Sequence, residues 1–109
     1  MANLYKNAKL DLSTTNLTNI ITSPTNSTII VKSILVSEDS GNADSITLTL
    51  TDASSNVFSL YKTKAVSANE TIELLSQPIV LQESEAIKAT AATGNRLHIV
   101  LSVLQINRE

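Results

Sequence analysis

Residues 44 to 52 read DSITLTLTD, with Ile46, Leu48 and Leu50 at alternate positions and Thr47, Thr49 and Thr51 between them. Such alternation sends one set of side chains to each face of an extended chain, whereas a helix needs a repeat near 3.6. The same period of two recurs along most of the sequence, and this excludes helical architectures first. NLYKNAKLDL places Leu4, Lys6, Ala8 and Leu10 on one side. TNLTNIITS ends at Pro24, which cannot donate to a ladder. STIIVKSILVS is rich in β-branched residues, which suit a pleated surface. In NVFSLYKTK, Val57, Ser59 and Tyr61 stand opposite Phe58, Leu60 and Lys62. ETIELLSQ, PIVLQ and EAIKATAA are shorter, and RLHIVLSVLQINR is the longest.

Turn chemistry separates these runs about every ten residues: TSPTN, EDSGNAD, DASSN, SAN, ESE and TGN. VSANETIELLS admits a capped helix from Ser67 or Asn69, but Pro78 and the strands around it favour extended chain. No internal repeat is evident. The pattern predicts an all-β, single-domain antiparallel β-sandwich or jelly roll of about eight strands. It spans residues 1–109, with residues 1–26 forming either the first strands or an N-terminal arm.

With 109 residues there is room for one substantial core. The absence of cysteine excludes disulfides, thiolate nucleophiles and Cys-based zinc sites. Net charge is −2, and the eight basic residues are scattered, so the clustered Lys and Arg that a nucleic acid requires are missing. No apolar run approaches the length of a helical membrane span, and MANLYKNAKLDLS lacks the apolar stretch of a secretory signal. No nucleic-acid or membrane partner is expected.

Two strands are apolar on both faces. In the last, Leu97, Ile99, Leu101 and Val103 share one face, while Val100, Leu104 and Ile106 lie beside His98 and Ser102 on the other. In IIVKSILV, Ile29, Val31 and Leu35 oppose Ile30, Ile34 and Val36. A half-solvated sandwich strand has one polar face, so the second face is covered by a loop or arm of this chain or by another subunit. A subunit is favoured, because large apolar patches mark interfaces.

Candidate chemistry is sparse. Glu38, Asp39, Asn42 and Asp44 carry oxygens suited to Ca²⁺, and Asp39, Asn42 and Asp44 are the candidate metal ligands. Their order does not match an EF-hand loop, however. A solvated turn, with Gly41 and Asn42 tolerating positive φ, is the simpler reading. Glu83 and Glu85 either share a strand face or sit in a turn. His98 is the sole histidine, and its place between Leu97 and Ile99 suits packing or an interface better than catalysis. No nucleophile elbow, metalloprotease, P-loop or dinucleotide signature is present. No cofactor is implied, and an enzyme is not expected.

The elements IVKSILVSE leading into SGNADSITLTL, then PIVLQESEAIKA, then NRLHIVLSVLQI resemble small β-sandwich structural proteins of tailed bacteriophages. The resemblance runs from about Thr28 onward and rests on patterning, with no catalytic residues to carry over. It implies a virion component made in the host cytoplasm: a capsid decoration or cement protein that oligomerises, often as a trimer, and binds the major capsid protein. A neck, tail, baseplate or fibre accessory protein is the alternative, and a cation- or glycan-binding module is a rival from another class. The contact residues expected from apolar patterning are Leu4, Tyr5, Lys6, His98, Val100 and Leu104.

Overall fold

The computed structural model describes residues 2 to 107. Nine strands and no helix are present among them: β1 (Ala2–Leu12), β2 (Thr18–Thr22), β3 (Ser27–Glu38), β4 (Asp44–Thr51), β5 (Val57–Val66), β6 (Thr71–Glu73), β7 (Ile79–Leu81), β8 (Ala86–Ala91) and β9 (Leu97–Asn107). The expected all-β antiparallel sandwich is therefore the observed fold. The VSANETIELLS segment is a turn leading into β6. Of the segment 1–26, residues 2 to 26 contribute β1, β2 and their connections, and β1 pairs with β9 along its whole length.

Sheet A runs β1-β9-β3-β6, with β7 also on β3, and sheet B runs β2-β8-β4-β5. The pairing is nested: β1 with β9, β2 with β8, β3 with β6 and β7, and β4 with β5. A long hairpin folded over on itself gives this wiring. The two inner ladders, β3 with β9 and β4 with β8, close the sheets.

Between the sheets lie Leu12, Ile21, Ile29, Val31, Ile34, Val36, Ile46, Leu48, Ile87, Leu97, Ile99, Leu101 and Val103, all buried. Alternation accounts for β9, where each odd-numbered residue from Leu97 to Gln105 is buried. It fails in β3. There the register against β9 shifts between Val31 and Ser33, so Lys32 is an extra residue in the ladder. A bulge of this kind inverts the facing of everything beyond it. Ile29 and Val31 point inward before it, and Ile34, Val36 and Glu38 point inward after it. Leu35 therefore joins Ile30 on the outer face, which corrects the grouping drawn from uninterrupted alternation.

β5 shows the same effect twice. Its register against β4 shifts on both sides of Leu48, which pairs Leu48 with Tyr61 and Leu50 with Phe58. Tyr61 and Phe58 thus follow the same face of β4, although simple parity separates them.

Candidate functional site

The acidic stretch after β3 is a turn organised by Glu38. Its carboxylate is buried, and it accepts N–H bonds from Ser40 at 2.9 Å, Gly41 at 3.1 Å and Asn69 at 3.0 Å, as well as the Ser40 hydroxyl. Burial alone pushes a carboxyl pKa upward. Here the hydrogen bonds from the Ser40 hydroxyl and from the Asn69, Ser40 and Gly41 amides outweigh it, and Glu38 is held at about 2. Since Asn69 lies in the β5–β6 turn, one side chain ties two loops together.

Other acids do the same work. Asp52 accepts the Ser54 and Asn56 amides at 2.9 Å each. Glu70 caps Ser67, Glu85 caps Gln82, Glu83 accepts the Asn26 amide, and Asp44 accepts the Thr93 amide at 3.1 Å. Glu73 accepts from the Ile34 and Leu75 amides and the Ser33 hydroxyl. Its pKa is also lowered, with those bonds overcoming the upward push of burial. Carboxylates occupied in this way are turn caps. Among the described residues no three His, Asp or Glu side chains gather as metal ligands. Of the candidate ligands, Asp44 is turned to Thr93 and Asp39 to His98.

His98 sits on the outer face of sheet A. Its Nε2 lies 3.2 Å from Asp11 Oδ1, and its Nδ1 lies 3.5 Å from Asp39 Oδ2. In register the row reads Asp11, His98, Ser37, an order that contains the three residue types of a hydrolytic triad. Both ring nitrogens, however, face carboxylates. Neither is turned to Ser37, so the row lacks the nucleophile–base bond that such chemistry needs. A depression of about 270 Å³ beside it is lined by Lys9, Leu10, Asp11, His98, Ile99 and Val100.

The rest of that face is more apolar. Directly opposed residues of antiparallel strands share a face, so Tyr5, Leu104, Ile30 and Val80 form one row across four strands. Tyr5 is 77% exposed and Val80 54%. A row of Asn7, Ser102 and Ser33 follows, then one of Lys9, Val100, Leu35 and Glu73. The Lys32 ammonium stands 5.4 Å from the centre of the Tyr5 ring.

Four of the six contact residues named from the sequence, Tyr5, His98, Val100 and Leu104, lie on this one face. Leu4 and Lys6 do not. They lie on the inward side of β1, where Lys6 Nζ donates to Gln105 Oε1 at 2.8 Å. Sequence reasoning missed Ile30, Leu35 and Val80 as surface residues. The bulge hid Leu35, and the short β7 showed no clear alternation.

No protein-family model matches the chain, and no curated protein matches it. Among solved structures it is similar to one described as "Bacillus endospore appendages form a novel family of disulfide-linked pili", with a TM-score of 0.61 and 8% identity, covering 98% of this chain and 89% of that one. It is also similar to one from the "Acidic stable capsid structure of Helicobacter pylori bacteriophage KHP30", with a TM-score of 0.56 and 7% identity, covering 97% of this chain and 89% of that one. What the chain shares with both, at this identity, is the fold.

Proposed function

We propose that this chain is a non-enzymatic structural protein of a phage particle, a decoration or cement protein that docks on the head shell. The observation that carries this reading is the outer face of sheet A, where Tyr5, Leu104, Ile30 and Val80 run as an apolar row from edge to edge. A solvated sheet face is ordinarily polar, and an apolar band of this kind is what a protein partner covers. The nested pairing of the strands, which is that of a jelly roll, and the fold likeness to a phage capsid chain support the same reading. The other likeness is to a chain of disulfide-linked pili. This chain contains no cysteine, so such covalent linkage is closed to it.

A cement protein acts by mass action: it binds the assembled shell and not the free subunits, and so stabilises the shell by that difference. Repetition over a symmetric lattice adds avidity to weak single contacts. The test is the copy number of this chain in purified virions, measured by quantitative mass spectrometry against the major capsid protein. A ratio near that of a lattice component supports the cement role. A few copies per particle transfer the chain to the neck, tail, baseplate or fibre, and absence from the particle defeats the proposal. Replacing Val80, an exposed residue at the margin of the row, by Asp is expected to abolish shell binding while leaving the melting temperature of the free protein nearly unchanged.

A further inference from the structure

The two sheets have four edges, and three are blunted. β2 has five residues and a register shift between Asn19 and Ile21. β5 carries two register shifts and places Thr63 at a φ of 55°. The edge beyond β3 is split into β6 and β7, three residues each. Short strands, bulges and interruptions are the devices by which sheets avoid pairing with other chains. β1 has none of them: eleven residues, Ala2 to Leu12, in unbroken register with β9. Even its inward-facing Lys6 is drawn aside onto Gln105.

We propose that β1 is a self-association edge: two copies of this chain pair β1 to β1 in antiparallel fashion about a two-fold axis at Asn7, joining their A sheets into one. The sequence of β1 sets this register. In an antiparallel pair, opposed residues must share a face, which excludes every register that sets an even-numbered residue opposite an odd-numbered one. Centring on Asn7 engages all eleven residues. It puts Leu4 opposite Leu10 and Lys6 opposite Ala8 on the inner side, and Tyr5 opposite Lys9 and Asn3 opposite Asp11 on the outer. Centring on Lys6 opposes two ammonium groups, and centring on Ala8 sets Lys6 against Leu10. With one unbroken edge per chain the pairing is isologous and closes as a dimer, rather than the trimer that the phage resemblance implies. The pairing also lays two apolar rows side by side, so a docking partner meets both at once. The inference stands independently of where the protein resides.

Native mass spectrometry and light scattering of the full chain across a concentration series provide the first test. The expected result is a species of twice 11.7 kDa, and a monomer at every concentration overturns the proposal. The second test uses the absence of native cysteine. Opposed Cα atoms in an antiparallel pair lie about 4.5–5.5 Å apart, within the span of about 4.4–6.8 Å that a disulfide bridges. An Asn7→Cys variant should therefore oxidise to a covalent dimer far faster than a Ser59→Cys control on the β5 edge. Equal rates overturn the assignment even if a dimer forms. Asn7→Asp, which opposes two carboxylates at the axis, should return the chain to monomer with its circular dichroism spectrum unchanged. A dimer persisting in that variant counts against the pairing.

Discussion

Deleting Lys32 should damage this protein far less than deleting Leu35 from the same strand. Lys32 is exposed, and its only described partner is the Tyr5 ring, 5.4 Å from ammonium to centroid. Such a contact at a surface is worth about 0.5–1 kcal/mol, so Lys32→Ala should be nearly silent. Deletion removes the bulge. The facing survives this: with Lys32 gone, Val31, Ser33 and Ile34 become consecutive and alternate in, out and in, opposite Val103, Ser102 and Leu101 as before. Deleting Leu35, beyond the bulge, instead turns Val36 outward and Ser37 inward. Taking the fully buried Val36 out of the core costs about 1.5–3 kcal/mol. The Ser37 hydroxyl brought into the core without a partner adds about 1–3 kcal/mol.

The combined penalty for the Leu35 deletion, about 2.5–6 kcal/mol, is a large part of the whole stability of about 5–15 kcal/mol that a domain possesses. At about 4 °C or more per kcal/mol for a small domain, the melting temperature of the Leu35 deletion should fall by at least about 10 °C, and that of the Lys32 deletion by no more than about 5 °C. Thermal and urea melts followed by circular dichroism provide the assay. A Lys32 deletion that melts as low as the Leu35 deletion would falsify the reasoning, because it would mean that Lys32 is not the extra residue of β3.

The depressed pKa of Glu38 has a definite sign. A carboxylate held at about 2 when folded, against 4.5 ordinarily, stabilises the protein above pH 4.5, and that contribution is lost as pH falls toward 2. Glu38→Gln should therefore be less stable than the parent in urea at pH 7, with the difference narrowing between pH 4.5 and 2. In Gly94→Ala, the new Cβ would lie 2.5 Å from the Ser13 carbonyl oxygen. The backbones must separate, and a loss of about 1–3 kcal/mol should appear in urea melts. Tyr61→Phe removes the hydroxyl that donates to the Leu74 carbonyl at 2.5 Å, across from β5 to the segment after β6. Equilibrium unfolding should register a loss of about 0.5–1.5 kcal/mol.

The strands themselves were legible because alternation is a local signal. DSITLTLTD and RLHIVLSVLQINR became β4 and β9, and the Gly- and Asn-bearing turns lie between strands as their φ preferences require. Facing was legible only where no bulge intervened. Nothing in IIVKSILV announces that Lys32 is the extra residue, because it contains no Gly and a lysine fits either side of an edge or bulge. In NVFSLYKTK the two shifts around Leu48 are equally silent. The acids were ambiguous for a different reason, although the turn was the simpler reading. Glu38, Asp39, Asn42 and Asp44 have the composition of a cation loop, yet a carboxylate preceding small residues such as Ser40 and Gly41 serves equally well as a backbone cap. Only the folded geometry shows the Asn69 amide, 31 positions away, completing the set. The outer face was partly legible: His98, Val100 and Leu104 came from strand parity and Tyr5 only as part of the N-terminal segment Leu4 to Lys6, while the cross-sheet row needed the pairing partners.

The nested wiring also dictates when the chain can become stable during synthesis. β9 is the central partner of sheet A, flanked by β1 and β3. It is also the last of the described strands to be made. Until it emerges, β1 has no neighbour in its sheet, and the long inner faces of β3 and β4 have no complete opposite wall. Almost every stabilising contact joins strands distant in sequence, which slows folding toward the millisecond-to-second range. The nascent protein thus waits with its apolar strands uncovered, a state prone to clumping with its neighbours. A chain of this topology therefore completes its sheet A only once residues 97 to 107 clear the ribosome.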